Sequence, residues 1–223
     1  MNQQAVQAVG AAKGGLKSRF ITAILALPVV LLILWQGGLP FSAFIAIVCV
    51  IMGIEWINIL SKGDKFPKIL LSGLLVLTAL ASHDGFGSGL GFYIFGILFS
   101  IGMSLLLGVK LSLLSGGFAY IGAATLSIIL LRSIDNGLWL VFFVFWVVWA
   151  TDVMAYVFGK TIGGPKLAPV ISPNKTWAGL LGGVIGAAII GAAVSFFLPN
   201  ATLLSLVVFG CILAVISQIG DLF

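Results

Sequence analysis

The chain has 223 residues, 61% of them hydrophobic and only 8% charged, with a formal net charge of +5. That balance excludes an ordinary soluble domain, in which about a quarter of residues are charged. It leaves an all-α, polytopic transmembrane helical bundle, because the short alternating segments of a transmembrane barrel do not occur.

Residues 1–19 are polar and carry Lys13, Lys17 and Arg19, and they read as a cytoplasmic amino-terminal tail. Apolar runs follow at 20–35, 39–60, 69–81, 90–107, 111–131, 138–158, 177–198 and 201–220. They predict about eight spans within one transmembrane domain over 20–223. The first run ends in "QGGLPF", which is not the small-residue site of a cleaved signal peptide, so it reads as a retained span. The run at 69–81 is the shortest and must either tilt or extend at its ends. Cys49 and Cys211 lie inside apolar runs and read as packing residues.

Charge orients the chain. With the amino terminus inside, the inner loops carry Lys13, Lys17, Arg19, Lys62, Lys65, Lys68, Lys110, Lys160, Lys166 and Lys175, and the outer loops only Arg132. This positive-inside asymmetry would vanish if one span were dropped. It places the basic residues at anionic lipid headgroups, so the net charge calls for no nucleic acid.

Acidic residues inside spans are costly and therefore informative. Asp152, in "FWVVWATDVMAYVFGK", precedes the next inner loop by about two helical turns, and Tyr156 shares its face. Either Asp152 is hydrogen-bonded to a neighbouring helix, or it is a metal or substrate ligand in a cavity open to the cytoplasm. Glu55, near the end of its span, reads as an interfacial carboxylate with a structural role. His83 and Asp84 read as a solvated outer turn.

The stretch "GGPKLAPVISPNKTWAGLLGGVIGA", from Gly163, joins a polar loop to a glycine-rich helix. Ser172 followed by Pro173 predicts a helix N-cap and first helical residue, so that free backbone N–H groups would face an anion. Ser172, Asn174, Lys175 and Thr176 would complete a phosphate site; an ordinary capped helix beside lipid headgroups fits equally well. It is not a phosphate-binding P-loop: "GKT" ends at Thr161, but Met154 stands where the earlier glycine belongs. Gly182 and Gly186 have the spacing of a close helix–helix contact.

The segment "WATDVMAYVFGKTIGGPKLAPVISPNKTWAG" resembles the central region of bacterial phosphatidate cytidylyltransferases, or CDP-diacylglycerol synthases. Their "D…AY…GK…G" and "KL.P..SP.KTW.G" patterns match from Asp152 to Gly179, and the "EW" at Glu55 and the final "QIGDLF" also match. The resemblance implies transfer of a cytidylyl group from CTP to phosphatidate, with Mg²⁺ as the divalent metal and membrane lipid as a partner. It implies that Asp152, Lys175 and Asp221 are catalytic, with Asp152 and Asp221 holding metal. Ser172, Asn174, Thr176, Lys160, Lys166 and Tyr156 would bind substrate. A homodimer is one assembly open to such a chain. The family's "KR…KD…HGG…DR.D" segment follows a "GDL" stretch, and this sequence ends at Phe223, just after its own. The expectation is therefore that these residues alone have little or no activity.

Three other readings compete. A transporter or channel would use Asp152 as an ion site but needs polar groups reaching both membrane faces. Another CTP-dependent lipid enzyme, such as a polyprenol kinase, would share a cytoplasmic cavity but not the "SP.KTW.G" pattern. A purely structural membrane subunit is the third reading.

Overall fold

The computed structural model describes residues 27–60, 65–198 and 201–222. The tail cations Lys13, Lys17 and Arg19, the loop residues Lys62 and Asp64, and the start of the first span lie outside the described residues. Among those described, seven helices are long and apolar enough to cross a membrane, and the chain is a multi-pass α-helical membrane protein. The helices gather into two compact units, which meet in sequence between Ser133 and Ile134.

In the first unit, α1 is described over Leu27–Gln36. It is followed by α2 (Gly38–Leu60), α3 (Lys65–His83) and α4 (Phe86–Leu106). A π-helical turn (Ser112–Gly116) then leads into α5 (Gly117–Ser133). The short third run is completed at both ends, by "KFPK" and "SH", which gives α3 19 residues. Pro67 falls in its first turn, where a missing N–H costs no helical hydrogen bond. The core is formed by Ile57, Leu71, Leu75, Leu114 and Phe118, all fully buried. Buried hydroxyls bond their own helices: Thr78 donates to the Leu74 carbonyl at 2.9 Å and Thr125 to that of Ile121 at 2.8 Å. Arg132 donates to the carbonyls of Leu34 and Trp35, both at 2.7 Å, and so caps the carboxyl end of α1.

The second unit holds α6 (Gly137–Thr161), strands β1 (Lys166–Ala168) and β2 (Ser172–Thr176), α7 (Trp177–Val194) and α8 (Leu203–Gly220). Helix α7 packs against both α6 and α8. Close backbone approach makes this possible. A Cβ at Gly186 would stand 3.0 Å from the Ala150 carbonyl oxygen and against Met154, so the GxxxG spacing serves packing, as expected. Large apolar side chains point outward instead, including Leu181, Ile189 and Phe209. That arrangement suits lipid as the surrounding solvent.

The hairpin corrects one expectation. Ser172 and Pro173 do not start α7; they begin β2, which pairs antiparallel with β1 through Lys166 with Thr176 and Ala168 with Ser172. Proline lacks a donor, yet a two-stranded ribbon leaves one edge of each strand unpaired, where that lack is tolerated. Thr176 is the true N-cap of α7, and its hydroxyl accepts the Gly179 N–H at 3.1 Å.

Candidate active site

The hairpin links the carboxyl end of α6 to the amino end of α7, and the carboxyl end of α8 reaches the same place. There a cleft of about 530 Å³ opens. From α6 it receives Asp152, Tyr156 and Lys160; from β2, Asn174, Lys175 and Thr176; from α8 and its cap, Gln218 and Asp221.

Lys175 ties these elements together. Its Nζ lies 3.5 Å from Asp221 Oδ2 and donates to the Gln218 carbonyl oxygen at 3.3 Å. The second contact satisfies one of the free carbonyls in the last turn of α8. The side chains of Lys175 and Asp221 are 27% and 57% exposed, so water screens the pair and an incoming anion can compete for the ammonium. An ammonium carries three donors, so one remains for a ligand. Farther out, Lys160 Nζ donates to the Tyr156 hydroxyl at 3.3 Å and sits 5.5 Å from the centre of its ring. Tyr156 thus holds a second cation at the cleft wall.

Thr176 is 5% exposed and sits where α6 and α7 approach closely. A Cβ at Gly159 would be 3.2 Å from its hydroxyl, and one at Gly179 would be 2.9 Å from the Ala155 carbonyl oxygen. These two glycines let the cap residue lie against α6. Gln218, also 5% exposed, donates from Nε2 to the Leu180 carbonyl oxygen at 3.4 Å and presses against Gly183. It fastens α8 to α7 beside the Lys175 contact.

The profile of the cytidylyltransferase family matches residues 17–223. The chain belongs to that family. It is 34% identical over 215 residues to the phosphatidate cytidylyltransferase of Brucella abortus biovar 1 (strain 9-941), covering 93% of this chain and 77% of that protein. It is 35% identical over 219 residues to the Staphylococcus saprophyticus enzyme of the same name, with 93% and 83% covered. With the Staphylococcus aureus (strain COL) enzyme the figure is 33% over 221 residues, and the same shares are covered. The resemblance drawn from the "DVMAY" and "SPNKTW" motifs therefore holds.

In this cytidylyltransferase the fold brings Asp152, Tyr156, Lys160, Asn174, Lys175, Thr176 and Asp221 to one cleft. Two expected members lie elsewhere. Ser172 is half-buried at the far end of β2, and Lys166 is exposed at the start of β1; neither is among the residues lining the cleft. Gln218 was not anticipated. Its signal was available, since an amide inside the apolar run "FGCILAVISQIG" must find a partner or a cavity.

Proposed function

We propose that this chain transfers a cytidylyl group from CTP to phosphatidate, giving CDP-diacylglycerol and pyrophosphate. The observation that carries the reading is a cleft in which two lysines and two carboxylates meet at one end of membrane-spanning helices. A phosphate oxygen of the lipid attacks the α-phosphorus of CTP, the bond to the β-phosphate breaks, and pyrophosphate leaves. Both reactants are anions, so the site must offset charge and align the attack. Lys175, held by the α8 terminus, offers its remaining N–H to a phosphate oxygen. Lys160 supplies the second cation, while Asn174 and Thr176 supply amide and hydroxyl groups for the same oxygens.

The donor set fits magnesium. That ion is commonly held through one or two carboxylates together with substrate phosphates, and Asp152 and Asp221 both line the cleft. Among the described residues no three acidic, histidine or cysteine side chains cluster, so any further ligands would have to come from substrate phosphates or water. When bound, it would polarise a phosphoryl oxygen and offset its charge.

The positive-inside pattern supports a cytoplasmic amino terminus and a cleft facing the cytoplasm, and an all-helical bundle suits the inner membrane, since outer-membrane spans are β-barrels. CTP then arrives from water and the lipid from the side. A transporter would need its polar groups to continue toward the opposite face, whereas these gather at one end of α6, α7 and α8. The test is direct. Full-length protein in vesicles containing phosphatidate is given magnesium and CTP labelled at the α-phosphate. Label passing into the lipid extract in step with pyrophosphate release is expected; label remaining in the aqueous phase would overturn the reading.

A further inference from the structure

The hairpin between α6 and α7 ends in an apolar turn. The Ile171 N–H donates to the Ala168 carbonyl oxygen at 3.2 Å and closes a β-turn around Pro169 and Val170. Pro169 supplies the fixed φ that such a turn favours at its second position, and polar residues or glycine usually complete it. Here two β-branched side chains follow instead. Val170 is 97% exposed and Ile171 61%, so neither joins the buried core of this unit. Large apolar side chains left bare side by side on a loop mark an interaction surface.

We propose that the hairpin lies along the membrane surface and buries Val170 and Ile171 in the headgroup layer of anionic lipid. Three observations carry it. First, both strands spring from membrane-spanning helices: α6 ends at Thr161 shortly before β1, and β2 runs directly into α7 at Trp177. From Thr176 to Ser172 is roughly 13 Å at strand rise, whereas each headgroup region is about 5–8 Å deep. The turn therefore reaches lipid by lying flat. Second, the charge fits. The sequence holds no acidic residue from Val153 to Gly220, while Lys160, Lys166 and Lys175 all fall in or beside the hairpin. Lys166 is exposed and free to approach anionic headgroups. Lipid is the one anionic and apolar surface that a membrane-spanning chain always has beside it. Third, the base of the hairpin has the same character, for Ile162 and Trp177 are also exposed. Apolar and indole groups interleaved with lysine compose segments that lie in the interface. Whatever reaction the cleft runs, β2 would then carry Asn174 and Lys175 at the depth of lipid phosphates.

A nitroxide spin label reads the depth of the turn. Full-length protein carrying Cys211→Ala is labelled through Val170→Cys, with Cys49 buried away from the reagent. It is placed in vesicles of phosphatidylcholine and phosphatidylglycerol. Collisions of the label with oxygen, which concentrates in hydrocarbon, are compared with those of a water-soluble nickel chelate. Oxygen is expected to dominate at Val170→Cys, and nickel at Asp135→Cys, in the exposed turn before α6. Ile171→Cys repeats the measurement one residue on. Dominant nickel collisions at both hairpin positions would put the turn in water, and few collisions of either kind would put it against protein. Each result overturns the proposal. Charge is tested by Lys166→Gln and by vesicles of phosphatidylcholine alone. Both should move the label toward nickel, and the lysine substitution should lower the ratio of inserted to free turn about fivefold. An unchanged ratio would overturn the part given to anionic lipid.

Discussion

The two units solve the same problem differently. Both must place polar side chains among membrane-spanning helices. In the first, Thr78, Ser82, Ser100 and Thr125 donate to carbonyls of their own helices, and Arg132 is taken up by the end of α1. The small hollow beside Arg132 and His83 holds only about 20 Å³. In the second unit Asp152, Lys160, Asn174, Lys175 and Asp221 line a space large enough for a ligand, and the Lys175–Asp221 pair stays partly solvated. Polar groups whose hydrogen bonds close on the fold stabilise it. Those that open on a cleft are available for chemistry.

The sharpest way to break that contrast is to remove a charge from each kind of setting. Lys175→Ala, or Asp152→Asn, should lower kcat/KM for cytidylyl transfer by roughly 10²–10³-fold, the range for loss of one preorganised electrostatic partner. Stability should change little, because the lysine's pair is partly exposed. Arg132→Ala should do the reverse. It removes two charge-assisted hydrogen bonds, each worth about 1.5–3 kcal/mol, and turnover of the folded fraction should persist. Denaturation of the purified variants in detergent, set beside steady-state rates in vesicles, separates the two effects. Loss of turnover in folded Arg132→Ala would erase the distinction.

How much of this was legible beforehand depended on whether the signal was local. The spans followed from runs of apolar residues, and α3 was underestimated because its ends are polar while its middle is not. Asp152 and Lys175 stood out as charges in an apolar chain, and the family motif joined them. The start of α7 was misjudged because Ser172–Pro173 carries a genuine capping pattern. What overrode it was pairing with Lys166–Ala168, which no single window of sequence reveals. Gln218 was missed for a similar reason. Its partners, Leu180 and Lys175, lie 38 and 43 residues away.

Glycine offers a subtler comparison. A methyl group at Gly117 would press on the Trp56 indole, whose N–H donates to Leu113; one at Gly183 would press on the Gln218 amide and stand 3.2 Å from the Thr151 carbonyl oxygen. Overpacking of this kind costs about 1–3 kcal/mol. Gly117→Ala and Gly183→Ala should therefore lower Tm to a similar extent. Only Gly183→Ala should also reduce kcat, by about tenfold, because it loosens the α8 turn that holds Lys175. Equal kinetic effects would show that the catalytic geometry does not depend on this helix contact.

The smallest effect is the most discriminating for the loop itself. The capping pattern would make Ser172 a phosphate ligand, whereas the hairpin puts it opposite Ala168, at the end of β2 remote from Thr176. Lys166 is likewise exposed and outside the cleft. Ser172→Ala and Lys166→Ala should each leave kcat/KM within about twofold, since surface changes away from special features are usually near neutral. The position that reads as the helix cap from sequence should thus tolerate loss of its hydroxyl, whereas Thr176→Ala, at the real cap, should cost about 1 kcal/mol of stability. A tenfold fall for Ser172→Ala would mean that the hairpin rearranges to bring its hydroxyl to the substrate, and Ser172 would rejoin Asn174 and Thr176 around the phosphates.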